Sequence, residues 1–112
     1  MQVEYKTNKI KKQCEDPKVA QKNYGKDIGN KLTQRVNELI AATSLLDIKY
    51  ISSARLHRLK GNRSEEYAVD LVHPFRLIFK PMMIEYEDLN KLSAITIVRI
   101  EEVENYHGKQ KR

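Results

Sequence analysis

The chain has 112 residues, with 21 Lys plus Arg against 15 Asp plus Glu, a formal net charge of +6 and 40% hydrophobic residues. This allows one globular domain with one modest core, and it excludes a disordered chain. The lone cysteine, Cys14, excludes an internal disulfide framework and fits a reducing compartment.

No apolar run approaches the roughly 20 residues of a membrane span. The N-terminus is charged from Glu4 onward and lacks a signal-peptide apolar region. The expectation is a cytoplasmic protein with no membrane partner. Its positive balance favours an anionic one, either nucleic acid or an acidic protein.

Residues 3–7 suit a short first strand, with Val3 and Tyr5 on one face at period two. Residues 8–15 suit a short helix carrying Lys9, Lys11 and Lys12. Asp16-Pro17 restarts the chain, with Asp as N-cap and Pro at the first helical position. Gly25 and Gly29 weaken the segment that follows and predict an interruption there. The strongest helix spans 26–43. In it Ile28, Leu32, Val36, Leu39, Ile40 and Thr43 form one apolar stripe opposite Lys31, Gln34, Asn37 and Glu38. Residues 44–48 allow one more turn, and 50–53 lead into a sheet.

From Arg55 onward the period changes to two. Runs 67–72 and 75–80 flank His73-Pro74 and predict an antiparallel hairpin, with a turn less standard than Asn-Gly. In the second run Phe75, Leu77 and Phe79 point one way, toward a helix-covered core. Arg76, Ile78 and Lys80 point the other way, which puts two cations on an open sheet face. Residues 82–93 are polar and irregular. Residues 94–103, the most β-prone run, predict the last strand. Helices followed by at least three strands give an α+β domain over 1–112, with N-terminal helices packed on one face of a small antiparallel sheet.

His57, His73 and His107 show no metal-ligand spacing, and no cofactor is expected. What stands out is a set of cations and histidines: Arg55, His57, Arg58, Lys60 and Arg63, then Arg76 and Lys80, then Tyr106 and His107. RNA is cleaved without metal when a base takes the 2′-hydroxyl proton and an acid protonates the leaving 5′-oxygen. Fixed cations must hold the charge growing on the phosphoryl oxygens. These residue types suit that work. They also suit a basic nucleic-acid-binding module without chemistry, for which affinity falls steeply with salt.

The string Leu56-His57-Arg58-Leu59-Lys60-Gly61-Asn62-Arg63, then Arg76 before an apolar β run, then Tyr106-His107, resembles the HigB (proteic killer) toxins of the RelE/ParE toxin–antitoxin superfamily. The resemblance is strongest over 55–80 and in the closing Tyr-His pair. It implies two N-terminal helices on an antiparallel sheet and an endoribonuclease that cuts messenger RNA in the ribosomal A site. It also implies a HigA-like helix-turn-helix antitoxin, which neutralises the toxin and carries the complex to operator DNA. Carried over by position, His57, Lys60, Arg76, Tyr106 and His107 are catalytic candidates, and Arg55, Arg58, Arg63 and Lys80 bind RNA. Arg76 would face the scissile phosphate. The family often has Asp before Tyr-His; this chain has Asn105, and Glu104 is the nearest carboxylate. For His57 and Lys60 to reach one site, the strand must bulge or end near Leu59, which Gly61 permits. The alternative within the superfamily is a ParE-type gyrase poison, which lacks this cation and histidine set.

Overall fold

The computed structural model describes residues 1–106. Strand β1 (Gln2–Tyr5) leads into four helices, α1 (Asn8–Glu15), α2 (Pro17–Tyr24), α3 (Lys26–Ala41) and α4 (Leu45–Lys49). Strands β2 (His57–Arg58), β3 (Tyr67–Asp70), β4 (Phe75–Pro81) and β5 (Ile97–Asn105) follow. The α+β class expected from the sequence is what the chain forms. Among the described residues no helix is long and apolar enough to cross a membrane.

Local chemistry sets the helix boundaries. The Thr7 hydroxyl accepts from the Ile10 amide (3.2 Å) and starts α1. The Asp16 carboxylate accepts from the Lys18 amide (2.9 Å), and Pro17 opens α2. The interruption predicted from the two glycines falls at Gly25 alone. Its φ of 84° ends α2 and begins α3. Gly29 instead lies inside α3, where a Cβ would stand 2.8 Å from the Gln21 backbone. It lets the two helices approach. The Met1 amino group donates to the carbonyls of Leu39 (3.3 Å), Ile40 (2.9 Å) and Ala42, against the negative end of α3.

The sheet order is β1-β5-β4-β3-β2. The expected all-antiparallel sheet needs one correction: β1 pairs with β5 in parallel, so the sheet is mixed. The chain leaves β1 for the whole helical layer and returns only with its last strand, so that pairing has no hairpin to signal it. On the helix-covered face Tyr67, Val69, Leu77, Phe79, Val98 and Ile100 are buried with Leu32, Val36, Leu39, Leu45 and Ile48. Tyr67 stacks across the strands on Phe79, and its hydroxyl donates to the Leu89 carbonyl (2.7 Å). Two expected members of the α3 stripe stay outside the core, since Ile40 and Thr43 are exposed. The opposite sheet face is polar apart from a small cluster of Leu59, Ala68 and Ile78.

Strand β5 carries an irregularity opposite Ile78 and Phe79. Ile78 faces Glu102, but Phe79 faces Ile100, so Glu101 is an extra residue. Val98 and Ile100 point to the helices before the bulge, and Val103 packs on the core after it. The bulge thereby turns Glu102 and Glu104 onto the open face.

Candidate active site

The open face holds a cleft of two adjoining lobes. One, of about 280 Å³, is lined by Arg55, His57, Asp70, His73, Pro74, Phe75, Arg76 and Tyr106. The other, of about 330 Å³, adds Arg58, Lys60 and Arg63 to the shared His57, Arg76 and Tyr106. Residues as far apart in sequence as Arg55 and Tyr106 therefore meet at one place. Strand β2 is only two residues long and ends before Leu59, and Gly61 follows with a φ of 68°. That early end brings Lys60 to the same cleft as His57, as the sequence required.

His57 sits on the open face opposite Ala68. Its Nδ1 lies 2.9 Å from the Arg55 carbonyl oxygen. A carbonyl only accepts, so in the neutral ring Nδ1 carries the hydrogen and Nε2 keeps its lone pair. Arg55 itself has a φ of 45°, in the left-handed region disfavoured for residues with a side chain. Its Nε and Nη2 form a fork on the Asp70 carboxylate (2.7 and 3.0 Å), which raises the guanidinium pKa above its ordinary value. The Asp70 carbonyl accepts from Arg35 Nε (2.8 Å). Arg35 also donates to the Ser53 carbonyl and to Glu38, and it is buried. Nothing in the sequence marks this buried arginine, which fastens α3 to the edge of the cleft.

Arg76 leans on the Tyr106 ring, its guanidinium carbon 4.6 Å from the ring centroid. Its Nε and Nη2 both contact Oε1 of Glu104, at 2.7 and 2.6 Å. Oε2 of the same carboxylate accepts from Arg63 Nη1 at 2.8 Å. Arg63 further engages Glu66 and Glu102, and these partners raise its pKa despite partial burial, Glu66 most strongly. Two guanidinium groups thus meet three carboxylates beneath the cleft. This lowers the positive field the sequence suggested there.

The remaining RNA-binding candidates are less central. Arg58 lines the second lobe, but its guanidinium lies over Tyr86 and donates to the Ser64 carbonyl and Asn90. Lys80 lies outside both lobes and pairs with Glu65 (3.7 Å). Lys60 is exposed, with no ion pair among the described residues. His107 lies outside the described residues. Among the described residues no three His, Cys, Asp or Glu side chains are grouped to hold a metal ion.

The chain matches no protein-family model and no curated protein.

The cleft combines a histidine with a free ring nitrogen, an exposed lysine, an arginine supported from behind and an aromatic face. Such a set can take a proton, hold phosphoryl oxygens and stack an unpaired base. In the sequence Glu104 reads only as a carboxylate for a histidine. The signal for its other role was present: apolar Val98, Ile100 and Val103 are spaced two and then three apart, which marks a bulge at Glu101-Glu102.

Proposed function

We propose that this protein is a HigB-type toxin of the RelE/ParE superfamily, a ribosome-dependent endonuclease that cuts messenger RNA in the A site. The observation that carries this reading is the gathering of His57, Lys60, Arg63, Arg76 and Tyr106 around one cleft. Those are residues on which the sequence resemblance rests. The order of helices followed by a sheet supports it as well.

In this reading Arg76 and Lys60 hold the phosphoryl oxygens as charge builds on them. A base removes the 2′-hydroxyl proton, the 2′-oxygen attacks phosphorus, and an acid protonates the departing 5′-oxygen. His57 presents a lone pair at Nε2 and His107 is the second acid–base candidate. Tyr106 stacks on a base. Binding in the A site supplies the alignment that a free message lacks, and alignment alone accounts for much of such a rate. The partner is a HigA-like helix-turn-helix antitoxin, which keeps the toxin silent and brings the complex to operator DNA.

The test is 5′-end mapping of a reporter message after brief induction, with the start codon present or destroyed, for the wild type, Arg76→Ala and His107→Ala. Cuts confined to the translated message and lost in both variants are expected. Cuts in both messages would make it a free ribonuclease. Growth arrest without cuts would transfer it to the gyrase-poisoning branch, and toxicity kept in both variants would remove the site assignment.

A further inference from the structure

Glu104 is buried, its side chain 3% exposed, and it stands directly across the strands from Arg76. A carboxylate beside a phosphate-binding arginine has two opposite meanings. It either occupies the place of the phosphate and restrains the site, or it stands behind the arginine and aims it. The geometry separates these. Glu104 lines neither lobe of the cleft, whereas Arg76 lines both. The carboxylate accepts the Nε–H of Arg76 at one oxygen, which also lies 2.6 Å from Nη2 as an ion pair. An arginine has five N–H donors. The Nη1 pair has no hydrogen bond among the described residues. The far edge of the fork is thus left for a ligand, while Tyr106 limits its tilt.

We infer that Glu104 is a positioning residue, which locks the Arg76 guanidinium edge-on to the cleft so that its Nη1 side meets the phosphate of the substrate. The inference rests on the nuclease reading above. Arg63 serves it from the other side. By holding Oε2 it keeps the carboxylate from following Arg76 into the cleft, and it is itself anchored by Glu66 and Glu102. The bulge in β5 is what allows the arrangement, since in regular alternation from Val98 and Ile100 the side chain of Glu104 would face the helices. A lysine at position 76 offers a single point charge and cannot be aimed in this way.

The experiment compares wild type, Glu104→Gln and Glu104→Asp in single-turnover cleavage of a message on stalled ribosomes. It also records the Arg76 Nε–H signal in ¹⁵N NMR and the thermal midpoint. Glu104→Gln keeps the shape and loses the charge, and Glu104→Asp keeps the charge but shortens the reach. The expected result is a sharp Arg76 Nε–H signal in the wild type that is broadened in Glu104→Gln. The cleavage rate constant should fall on the order of 10²-fold with half-saturation changed little, as for a group displaced by about an ångström. Glu104→Asp should fall between. If Glu104→Gln does not fold, a Glu104→Asp that folds and cleaves at the wild-type rate overturns the inference. So does cleavage that follows the thermal midpoint alone across the variants. A Glu104→Gln protein that cleaves normally also overturns it and leaves the nuclease reading standing. A wild type that cuts nothing removes both, and the NMR signal then records a structural clamp only.

Discussion

Replacing Gly29 with Ala sets two magnitudes against each other. Inside a helix, Ala is better than Gly by about 0.8–1 kcal/mol, so propensity alone predicts a more stable protein. The structure predicts the reverse. The added Cβ would lie 2.8 Å from Cα and N of Gln21 and 2.9 Å from the Ala20 carbonyl carbon. Ordinary carbon contacts are about 3.5–4.0 Å, so α2 and α3 must part by roughly an ångström. The obstructing atoms are backbone, and no rotamer change removes them. Overpacking of this kind costs about 1–3 kcal/mol, and here a whole helix must move, so the upper part of that range applies. The net expectation is a loss of about 1–2 kcal/mol, which lowers the thermal midpoint by roughly 5–15 °C for a domain of this size. Urea and thermal unfolding followed by circular dichroism measure it. The helices pack on the sheet face opposite the cleft, so under the proposed nuclease function cleavage per folded molecule should be unchanged below the transition. A Gly29→Ala protein as stable as wild type, or more so, would refute the close approach of α2 and α3.

Further outcomes follow from burial and charge. Burial, then the nearby Glu15, pushes the Cys14 thiol up to about 12, so alkylation at pH 8 should be negligible until urea unfolds the chain. The folded state keeps a proton that the unfolded chain releases from the ordinary value of 9.0. This contribution is complete below pH 9 and is lost as pH rises toward 12, and half-buried Tyr5 and Tyr24 with buried Tyr67 act in the same direction above pH 10. The urea midpoint should therefore fall between pH 8 and 10.5, and a constant midpoint would contradict it. Lys9, Lys11, Lys12, Lys18, Lys22 and Lys26 are exposed on the helical layer, while Arg55, Arg63 and Arg76 in the cleft are matched by carboxylates. Under the proposed function, an acidic antitoxin surface should therefore bind more weakly as salt rises, mainly through slower association. Association rates flat between 50 and 500 mM salt, as order-of-magnitude settings, would count against an electrostatic partner.

Much of the helical layer was legible because its signals are local. The bounds of α1, the Asp16-Pro17 start of α2 and the beginning of α3 can be read from cap residues and period. So can the hairpin at His73-Pro74 and the alternation of Phe75 to Lys80. The β1–β5 pairing was not legible, because a parallel pair joining the two ends of the chain leaves no turn to announce it. Ile40 misled because periodicity gives a stripe without saying how wide a face the sheet covers. Arg35 reads as any surface arginine until the Asp70 and Ser53 carbonyls are brought to it. The cleft was legible as a set of residue types. Its electrostatics were not, since Glu104 and Arg63 become partners of Arg76 only after β5 has been given its register.

The extra residue at Glu101 gives β5 something like a reading frame. On one side of it the odd-numbered positions face the open side of the sheet, and on the other side the even-numbered ones do. Closing the bulge while keeping every residue would exchange both faces beyond it: Val103 would enter water, and Glu102 and Glu104 would be carried into the core. Deleting Glu101 would instead remove the bulge and leave those faces as they are. Core and site beyond the bulge therefore depend on the same offset of one position.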